Sequence, residues 1–408
     1  MKILFISPYV TNNSIPLLSQ CKAGFGYMVY DIAKGVAAYE DVDILLRNYR
    51  YNAFRVDNIN FLRNKVFDIL ANIHHVCSPL VLIRLLIKYK TSLREQIRLF
   101  YVWLCSGYYY SVIKNNNYDI VHIHGCGRCD DIYMHVCRKL RQKFIITLHG
   151  LNSFSDSVNL SPAGKKYERD FLQRVVDGEF PITVISSGIK KTILKEYGVS
   201  ECNNISVICN SFSFFGGGKN IDVRKLYGIP SDKQIILYIG NLCHRKNQKQ
   251  IIDAFDYLPQ NVADNCYVLF MGRAIEDDYH LEESIKKSKN AKQFVLCGNI
   301  DKEEVPDFYS EANGVVLLSI SEGFGLSLIE GMHFGIPCMC FDDMDAFEDI
   351  YDPSAVVALH ERSNVKVANG ICELLGRKWD RDKIIGLSNQ FTLSNMAQKY
   401  IEQYNNWK

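Results

Sequence analysis

Twelve short apolar runs, separated by stretches long enough for helices, limit the fold of this chain more than any other feature. Runs buried on both faces and joined by helix-length segments predict parallel sheets with helices on each side. Twelve strands are too many for one sheet, so we expect two. The predicted strands are Lys2–Pro8, Val42–Leu46, Asp119–His124, Phe144–Leu148, Ile182–Ile185, Ile205–Cys209, Ile235–Ile239, Tyr267–Met271, Phe294–Cys297, Gly314–Leu318, Pro337–Phe341 and Ala355–Leu359.

The division between the two sheets is predicted near Ser211–Lys233, a stretch rich in turn-forming residues that reads as a linker. We therefore expect a doubly wound, Rossmann-like domain over residues 1–210 and a second one over 211–390. Residues 391–408 are predicted to form a C-terminal helix. In doubly wound domains, ligands bind at the carboxyl ends of the strands. Two such domains whose strand ends face each other would form a cleft between them.

Bulk composition excludes several classes of protein. The 408 residues are 48% hydrophobic and 23% charged, as in an ordinary globular protein, and the net charge of +2 gives no case for nucleic acid. Residues 1–180 nevertheless hold 23 Lys and Arg against 15 Asp and Glu, so this half is the one expected to meet an anion. Several of the 14 cysteines lie in apolar runs, no signal peptide is evident, and no apolar run reaches a bilayer-spanning length. We expect a cytoplasmic protein with reduced thiols.

Residues 314–337 are the most informative segment for chemistry. A buried run leads into a loop that carries Glu322, followed by Gly323 and Gly325, and then into a helix that carries Glu330. Seven residues separate the two carboxylates. Free backbone N–H groups at the helix N-terminus between them would favour an anion. Such a unit could hold a sugar, a phosphate and a ribose together.

This segment, Ser321 to Pro337, resembles the signature of family 4 retaining glycosyltransferases, enzymes of the GT-B fold. Other segments resemble landmarks of that family in the same order along the chain. They are Asp119–Gly125, Ile146–Gly150, Val184–Leu194, Val207–Asn210 and Ile239–Asn247. The resemblance spans nearly the whole chain and implies a GT-B architecture of two Rossmann-like domains across a cleft. It also implies that the first domain binds the acceptor, that the second binds the nucleotide sugar and that the C-terminal helix packs back on the first domain.

The resemblance assigns roles to the residues of the first segment. It implies that Glu330 holds the ribose hydroxyls of a nucleotide sugar and that Glu322 holds a hydroxyl of the donor sugar in the catalytic centre. Backbone N–H groups of Phe324, Gly325 and Leu326 would face the sugar and phosphates. A carboxylate can accept two hydrogen bonds from a vicinal diol, and charge-assisted bonds are the stronger kind. The alternative is an ordinary glycine-rich turn with two solvated glutamates.

The predicted diphosphate site departs from the family pattern. Arg245 and Lys246 follow a strand, and negative charge builds on the departing diphosphate, so cations are needed there. The family usually has arginine after the glycine, whereas this chain has Asn241 after Gly240. Lys246 keeps the family position. We hypothesise that Arg245 replaces the missing arginine; the alternative is a surface cation at a helix start.

Two further elements of the first half resemble the family. His149 ends an apolar run, and the resemblance implies a catalytic role near the reacting sugar and acceptor, although a histidine there is often a core residue. Gly24 and Gly26 resemble the family's N-terminal glycine loop, ahead of a helix, where backbone could approach a phosphate or an acceptor. Val29 occupies the third position of a dinucleotide fingerprint, so that motif is incomplete. His122 and His124 share one strand face and are interpreted either as structural or as supporting the residues of the site.

Three further segments resemble metal-binding or phosphate-binding motifs but are interpreted as having no such function. Cys126 and Cys129 form a CxxC pair, but no second pair has the spacing of a zinc site. Asp343 and Asp345 match the Asp-x-Asp metal motif of a different glycosyltransferase fold and are interpreted as loop acids. The run Gly216–Lys219 lacks the spacing of a phosphate loop.

Residues 79–113 interleave basic and apolar side chains at helical spacing. One interpretation is a pair of helices that pack on the first sheet. The other is a helix that lies on an anionic membrane surface.

The sequence thus predicts a retaining hexosyltransferase that uses a nucleotide-diphosphate sugar and a lipid-linked saccharide acceptor. By resemblance, its setting is bacterial surface polysaccharide assembly (O-antigen, capsule or exopolysaccharide). We expect no cofactor and no metal, because cations and a helix dipole can stabilise the leaving group. The protein would be cytoplasmic or peripheral at the inner face of the membrane. The alternatives are a nucleotide-sugar epimerase or hydrolase of the same fold and a non-catalytic carbohydrate-binding protein.

Overall fold

The chain folds into two compact units. A computed structural model describes residues 1–21, 24–154, 160–212 and 217–407. One unit comprises Met1–Asn210 together with Leu393–Lys408, and the other comprises Ser211–Thr392. Part of the predicted linker, residues 213–216, lies outside the described residues. The short helix Val223–Tyr227 occupies the middle of the same stretch.

The first unit is built on an eight-stranded sheet in the order β3-β4-β2-β1-β5-β6-β7-β8, with only the β3–β4 pair antiparallel. Its strands are β1 (Lys2–Ser7), β2 (Asp41–Leu46), β3 (Phe54–Val56), β4 (Ile59–Phe61), β5 (Ile120–His124), β6 (Phe144–Leu148), β7 (Ile182–Val184) and β8 (Ile205–Val207). Its first seven helices are α1 (Gly24–Ala37), α2 (Val66–Ala71), α3 (Pro79–Lys88), α4 (Leu93–Asn116), α5 (Arg128–Lys139), α6 (Pro162–Val176) and α7 (Ser187–Glu196).

The second unit is built on a six-stranded, all-parallel sheet in the order β11-β10-β9-β12-β13-β14. Its strands are β9 (Gln234–Ile239), β10 (Cys266–Met271), β11 (Phe294–Gly298), β12 (Gly314–Leu317), β13 (Cys338–Phe341) and β14 (Val356–Leu359). Its helices are α8 (Val223–Tyr227), α9 (Lys249–Ala254), α10 (Gln260–Ala263), α11 (Leu281–Lys287), α12 (Val305–Glu311), α13 (Leu326–His333), α14 (Phe347–Ile350), α15 (Asn364–Gly376) and α16 (Arg381–Ser388).

All twelve predicted strands are present, within two residues of their predicted ends. Nearly every residue of the central strands is buried, because helices cover both faces of each sheet. The hairpin of β3 and β4 was not predicted. Its turn, Asp57 and Asn58, has positive φ at both positions (49° and 63°), which suits a tight two-residue hairpin loop.

The last helix, α17 (Leu393–Asn406), returns to the first unit and packs on α1. A Cβ at Gly35 of α1 would lie 3.1 Å from Ala397 Cβ, so the two helices approach closely there. The predicted domain boundary at 390/391 is two residues early. Phe391 stays with the second unit, because its ring packs on Phe324 and its carbonyl accepts a hydrogen bond from the Phe212 N–H (3.1 Å).

Helices α3 and α4 account for residues 79–113 and begin with capping serines, Ser78 and Ser92, of which Ser92 forms a capping box with Glu95. The inner face of α4 is buried against the helices α5 and α2. Several large apolar side chains of α3 and α4 are nevertheless exposed. Among the described residues, no helix is both long and apolar enough to cross a membrane.

Candidate active site

The segment from β12 to α13 forms a tight turn that presents backbone N–H groups. Gly325 caps α13 with φ of 82°, a left-handed conformation that other residues rarely adopt. A Cβ there would lie 3.1 Å from Met344 Sδ. The Phe324 ring is buried in the core of the unit. The N–H groups of Leu326 and its neighbours at the helix start have no acceptor within the helix, so this end attracts anions.

Glu322 lies in that turn between two cations. Lys246 Nζ donates a hydrogen bond to Glu322 Oε2, and Arg245 Nη1 lies 3.5 Å from the same oxygen. Ser319 Oγ donates a further hydrogen bond to it (3.3 Å). The side chains of Glu322 and Lys246 are only 15% and 13% exposed. The three charged residues that were predicted from separate segments thus form one partly buried cluster.

The cations decide the ionisation of Glu322. Burial alone would raise the pKa of this carboxyl group, but the attraction of Lys246 and Arg245 and the hydrogen bonds from Lys246 and Ser319 outweigh it. The pKa of Glu322 is therefore lowered from its usual 4.5. At neutral pH the side chain is a carboxylate, able to accept hydrogen bonds from sugar hydroxyls.

The loop after β9 is shaped to hold Lys246. Gly240 has φ of 149°, and a Cβ there would lie 3.2 Å from Lys246 Cε. The buried Tyr238 hydroxyl donates to the Lys246 carbonyl and accepts from the Leu318 N–H (2.9 Å). Tyr238 thereby ties the β9 loop to the end of β12, and it fixes the backbone of Lys246 beside Glu322.

Arg245 and Asn241 differ in their surroundings. Arg245 Nη1 donates to the Ser321 carbonyl (2.8 Å), so the guanidinium lies beside the Glu322 turn although its side chain is 36% exposed. The Asn241 carbonyl accepts from Gln248 Nε2 (2.9 Å), which fixes the backbone of this position. Arg245 therefore reaches the cluster, as replacement of the missing arginine requires.

Glu330 lies on α13 and has a fixed partner. Tyr309 Oη donates to Glu330 Oε2 (2.8 Å), and it also lies 3.2 Å from the Ser327 carbonyl. Burial, reinforced by Glu330, raises the pKa of Tyr309 well above its usual 10, so the hydroxyl keeps its proton. The tyrosine orients one oxygen of the carboxylate.

Sequence reasoning missed Tyr238, Tyr309 and the contribution of Asp345. Both tyrosines lie in apolar surroundings, where the sequence gives no sign that their hydroxyl groups are used. Asp345 was interpreted as a loop acid, yet its N–H donates to the Glu322 carbonyl (3.2 Å). Burial, with Glu322 and Asp343 nearby, raises the pKa of Asp345 to about 6. Its partner in the motif, Asp343, pairs with Arg362 (2.7 Å).

In the first unit, His149 lies just beyond β6. Its Nε2 is 3.2 Å from His124 Nδ1, and its ring meets Phe25 edge-on at 4.8 Å. Burial lowers the pKa of His149 from 6.5 to about 3, so the imidazole is uncharged at neutral pH. The Nδ1 atom of His149 is buried and has no hydrogen-bond partner among the described residues.

His122 has a structural environment, in agreement with its interpretation. Its two ring nitrogens bond Tyr404 Oη (2.7 Å) and Thr147 Oγ1 (2.6 Å), and Thr147 continues to Thr183 (2.6 Å). Burial lowers the pKa of His122 and of His124 well below 6.5. His122 thus joins α17 to the sheet. His124 lies between His122 and His149.

The predicted glycine loop is the first turn of α1 instead. The structure places Gly24 and Gly26 inside the helix, while Lys22 and Ala23 before them lie outside the described residues. A Cβ at Gly26 would lie 2.2 Å from Thr11 Oγ1, and the Thr11 N–H donates to the Gly26 carbonyl (3.0 Å). At Gly24 a Cβ would meet nothing within 4 Å. Gly26 lets the loop after β1 pack on α1, which brings Phe25 to His149.

Within the described residues, the cysteine pair and the Asp-x-Asp motif form no group of side chains that could hold a metal ion. Cys126 and Cys129 are free thiols, as are the other twelve cysteines, and they form no group with other metal-binding side chains. The described residues contain one such group, His244, Glu276 and Asp278. It is mostly exposed. Gly216 of the Gly216–Lys219 run lies outside the described residues.

Family comparisons agree with this architecture. Residues 24–213 match the family model described as Glycosyltransferase Family 4, and residues 220–385 match the model described as Glycosyl transferases group 1. The two parallel α/β sheets and these matches support a glycosyltransferase of the GT-B fold. Within that class, the matches indicate the group 1/family 4 type.

Solved structures of the same fold align over nearly the whole chain. Sucrose-phosphate synthase from Thermosynechococcus elongatus is 16% identical with a TM-score of 0.72, covering 99% of this chain and 98% of that one. HepE of Anabaena, solved with UDP, is 17% identical with a TM-score of 0.68, covering 99% and 100%. The two-domain GT-B fold is therefore established.

The similarity to curated relatives is partial. O-antigen chain mannosyltransferase B of Escherichia coli is 28% identical over 172 residues, which is 41% of this chain and 45% of that protein. The chain covers 53% and 45% of the length of two of these relatives and 81% of another, an uncharacterized 41.2 kDa protein of Klebsiella pneumoniae that is 22% identical.

Proposed function

We propose that this protein is a retaining glycosyltransferase that moves a hexose-type sugar from a nucleotide-diphosphate sugar to a hydroxyl of a lipid-linked saccharide. The setting is the assembly of a bacterial surface polysaccharide. The observation that carries the proposal is the cluster of Glu322, Lys246 and Arg245 beside the start of α13. It combines an ionised acceptor for sugar hydroxyls with cations for a diphosphate.

In the second unit, different residues bind different parts of the nucleotide sugar. Glu330, oriented by Tyr309, accepts hydrogen bonds from the ribose diol, and Glu322 binds a hydroxyl of the donor sugar. Lys246 and Arg245 take the diphosphate, with the N–H groups of Phe324, Gly325 and Leu326 and the helix dipole of α13. Lys246 is shared between Glu322 and the diphosphate, so charge on the leaving group is stabilised as the glycosidic bond breaks.

At the acceptor end, an uncharged His149 accepts or donates a hydrogen bond near the reacting hydroxyl. Its low pKa makes an imidazolium a poor candidate at neutral pH. In the proposed mechanism, the acceptor hydroxyl attacks on the face from which the diphosphate leaves, and its proton passes to the departing phosphate. This route needs neither a protein nucleophile nor a metal, since Arg245 and Lys246 supply the positive charge.

The names of similar proteins support the setting. HepE was solved with UDP and with UDP-glucose, and the partial relatives include O-antigen and lipopolysaccharide glycosyltransferases of Escherichia coli and Salmonella typhimurium. A nucleotide donor and a growing surface saccharide are the substrates that these names suggest.

The decisive experiment is a donor screen with UDP- and GDP-sugars, with and without lipid-linked saccharides. We expect acceptor-dependent release of nucleoside diphosphate, and a product whose anomeric configuration by NMR equals that of the donor. Release at full rate without any acceptor would indicate a hydrolase or epimerase. Tight donor binding without turnover would indicate a binding protein, and an inverted product would contradict retention.

The role of Arg245 is tested by comparing Arg245→Ala with Asn241→Ala. We expect the first to weaken donor binding about 10-fold, since a hydrogen bond to a charged group contributes about 1.5–3 kcal/mol. The second should have little effect. If only Asn241→Ala weakens binding, Arg245 is not the replacement.

We also propose that α3 and α4 rest on an anionic membrane surface. Apolar side chains on neighbouring turns of both helices are exposed: Leu80, Ile83, Ile87, Leu93, Ile97 and Phe100. Arg84, Lys88 and Lys90 lie among them in the sequence. An exposed apolar patch with basic neighbours fits a surface of anionic headgroups, and it suits an enzyme with a lipid-linked acceptor.

Vesicle sedimentation tests this surface. Binding to phosphatidylglycerol vesicles should fall with salt, and about fivefold for each cation lost in Arg84→Gln or Lys90→Gln, on the basis of about 1 kcal/mol per charge. Leu80→Ser with Ile87→Ser should also weaken it, whereas Lys195→Gln on α7 serves as the matched control. Equal binding to phosphatidylcholine vesicles would contradict the electrostatic part.

A further inference from the structure

A cavity lined by arginines lies in the first unit, apart from the residues assigned above. It has a volume of about 620 Å³ and is lined by the loop after β2 and by one face of α4. Its charged lining residues are Arg47, Arg50, Arg94, Arg98 and Glu95. Four guanidinium groups against one carboxylate give the cavity a strong positive potential.

The carboxylates near this cavity already have partners. Glu95 Oε1 accepts from Arg128 Nη2 (2.6 Å), and Asp130 Oδ1 accepts from Arg47 Nη1 (3.1 Å). Within the described part of the chain, no carboxylate forms an ion pair with Arg50, Arg94 or Arg98. The excess positive charge therefore remains for a ligand.

Buried guanidinium atoms also lack partners. Arg47 is only 8% exposed, yet its Nε has no hydrogen-bond partner among the described residues, and the same holds for Arg50 Nε. Arg50 is fixed by the carbonyls of Tyr49 (2.7 Å) and Arg47 (3.2 Å), and its guanidinium lies over the Tyr101 ring (5.0 Å). A buried donor without a partner is costly, so the arrangement is easiest to explain by a ligand that supplies acceptors.

The position of the cavity relates it to the acceptor. The Arg47 N–H donates to the Ser7 carbonyl (2.8 Å), so the loop after β2 adjoins the loop after β1. Because β2, β1, β5 and β6 are parallel neighbours, the cavity opens at the same edge of the sheet as His149. On α4, Arg94 and Arg98 each follow by one position the exposed apolar residues Leu93 and Ile97, so the two faces adjoin.

We infer that this cavity binds the diphosphate of the acceptor, with its lipid chain on the apolar side of α4. The inference rests on the proposed function for the identity of the acceptor. Several guanidinium groups in a fixed arrangement suit the many oxygens and the multiple charge of a diphosphate ester. The volume also leaves room for the first sugar. A second anion site would hold the acceptor independently of the donor.

The test measures binding of inorganic pyrophosphate to the full chain by calorimetry, in a Lys246→Met background that weakens the donor end. Arg50→Gln and Arg98→Gln should each raise the Kd about 10-fold or more, as expected for losing a hydrogen bond to a charged group. Arg55→Gln on β3 removes the same charge from the same unit outside the cavity and should leave the Kd within about twofold. Thermal melts confirm that each variant is folded.

Two results would overturn the inference. Equal weakening of pyrophosphate binding in Arg55→Gln would show general electrostatic attraction rather than a site. Pyrophosphate binding that is unchanged in Arg50→Gln and Arg98→Gln would show that the cavity does not bind it. Farnesyl diphosphate separates a lipid source from free phosphate: it should bind more tightly than pyrophosphate and lose that advantage in Ile97→Ser. Affinity equal to that of pyrophosphate would contradict the lipid part.

Transfer assays separate this inference from the proposed function. In Arg98→Gln the KM for the acceptor should rise while the KM for the donor is unchanged. If no acceptor is ever glycosylated but pyrophosphate still requires the arginines, the proposed function fails and the anion site stands. If transfer proceeds normally in both arginine variants, the acceptor role of the cavity fails alone.

Discussion

Glu322 in the second unit and His149 in the first both follow a parallel strand and are largely shielded from solvent, yet this shielding has opposite consequences for their charge. Desolvation disfavours the charged form of either group. Around Glu322, Lys246 and Arg245 outweigh desolvation, and the carboxylate stays ionised. Around His149 the described neighbours are His124 and Phe25, neither of which carries a compensating charge, and the imidazole stays neutral.

The difference indicates how the work is divided. The second unit offers fixed charges, which suit a donor that carries a diphosphate. The residues around His149 offer neutral hydrogen-bonding groups, which suit sugar hydroxyls. Substitutions that remove one of these properties at a time should therefore have separable effects.

The largest effect is expected for Glu322→Gln. It removes the carboxylate that holds Lys246 and Arg245 and that, in the proposed function, binds the donor sugar. Sugar transfer should therefore fall about 100- to 1000-fold, as for loss of one fixed electrostatic group. Initial rates of nucleoside diphosphate release measure it. Glu361→Gln, an exposed glutamate of the same unit, is the control. Undiminished transfer in Glu322→Gln would remove Glu322 from the catalytic centre.

The next effect is expected for Lys246→Met. Donor affinity should fall about 10- to 100-fold through loss of a charge-assisted contact. The substitution should also raise the pKa of Glu322, because only Arg245 and the hydrogen bond from Ser319 then oppose the effect of burial. Equilibrium dialysis with the donor identified in the screen measures the affinity. An unchanged affinity would contradict the assignment of Lys246 to the diphosphate.

Lys246→Met should also change how the free energy of unfolding depends on pH in acid. The folded-state pKa of Glu322 is lowered, so its stabilising contribution is present above the usual value of 4.5 and is lost as pH falls through the lower folded pKa. In Lys246→Met, the loss of unfolding free energy between about pH 5 and 3 should be smaller than in the unaltered protein. Urea unfolding at several pH values measures this slope. An identical slope in both proteins would mean that Lys246 does not control Glu322.

A smaller effect is expected for His149→Phe. Transfer should fall about 10- to 100-fold through loss of a positioned hydrogen bond, with donor affinity unchanged. His135→Phe on α5 is the matched control. Loss of donor affinity in His149→Phe would move this residue to the donor end.

The low pKa of His149 predicts the direction in which the stability of the protein changes with pH. Its pKa is about 3 in the folded state against 6.5 for an ordinary histidine, so only the unfolded chain takes up this proton in between. The stabilising contribution is complete above pH 6.5 and is lost as the pH falls from 6.5 towards 3. In His149→Phe, the free energy of unfolding should decline less steeply over that pH range than in the unaltered protein. The rate of sugar transfer by the unaltered protein should show no step near pH 6.5 that arises from His149.

The smallest effect compares two glycines of α1. Gly26→Ala should destabilise the protein by about 1–3 kcal/mol, because its Cβ would overlap Thr11 Oγ1. Gly24→Ala, where the Cβ meets nothing, should be neutral or stabilising by up to about 1 kcal/mol. Thermal melts of the pair distinguish them. Equal melting temperatures would show that the loop after β1 yields freely.

The sequence predicted the sheets well because their strands are buried on both faces, which leaves an unbroken apolar run. It missed β3 and β4 because each has only three residues and β3 is partly exposed. The glutamates were found from their local spacing. The contact of Arg245 with Glu322 joins residues 77 positions apart, and the hydroxyl bonds of Tyr238 and Tyr309 depend on packing, so local pattern could not supply them.

The return of α17 to the first unit has a consequence for folding during synthesis. Tyr404, which bonds His122, leaves the ribosome only after the whole of the second unit. Until α17 has been synthesised, His122 and Thr147 of the first sheet lack their hydrogen bonds to this helix. The second unit can already fold during that time. Although it is synthesised first, the first unit is the one completed last.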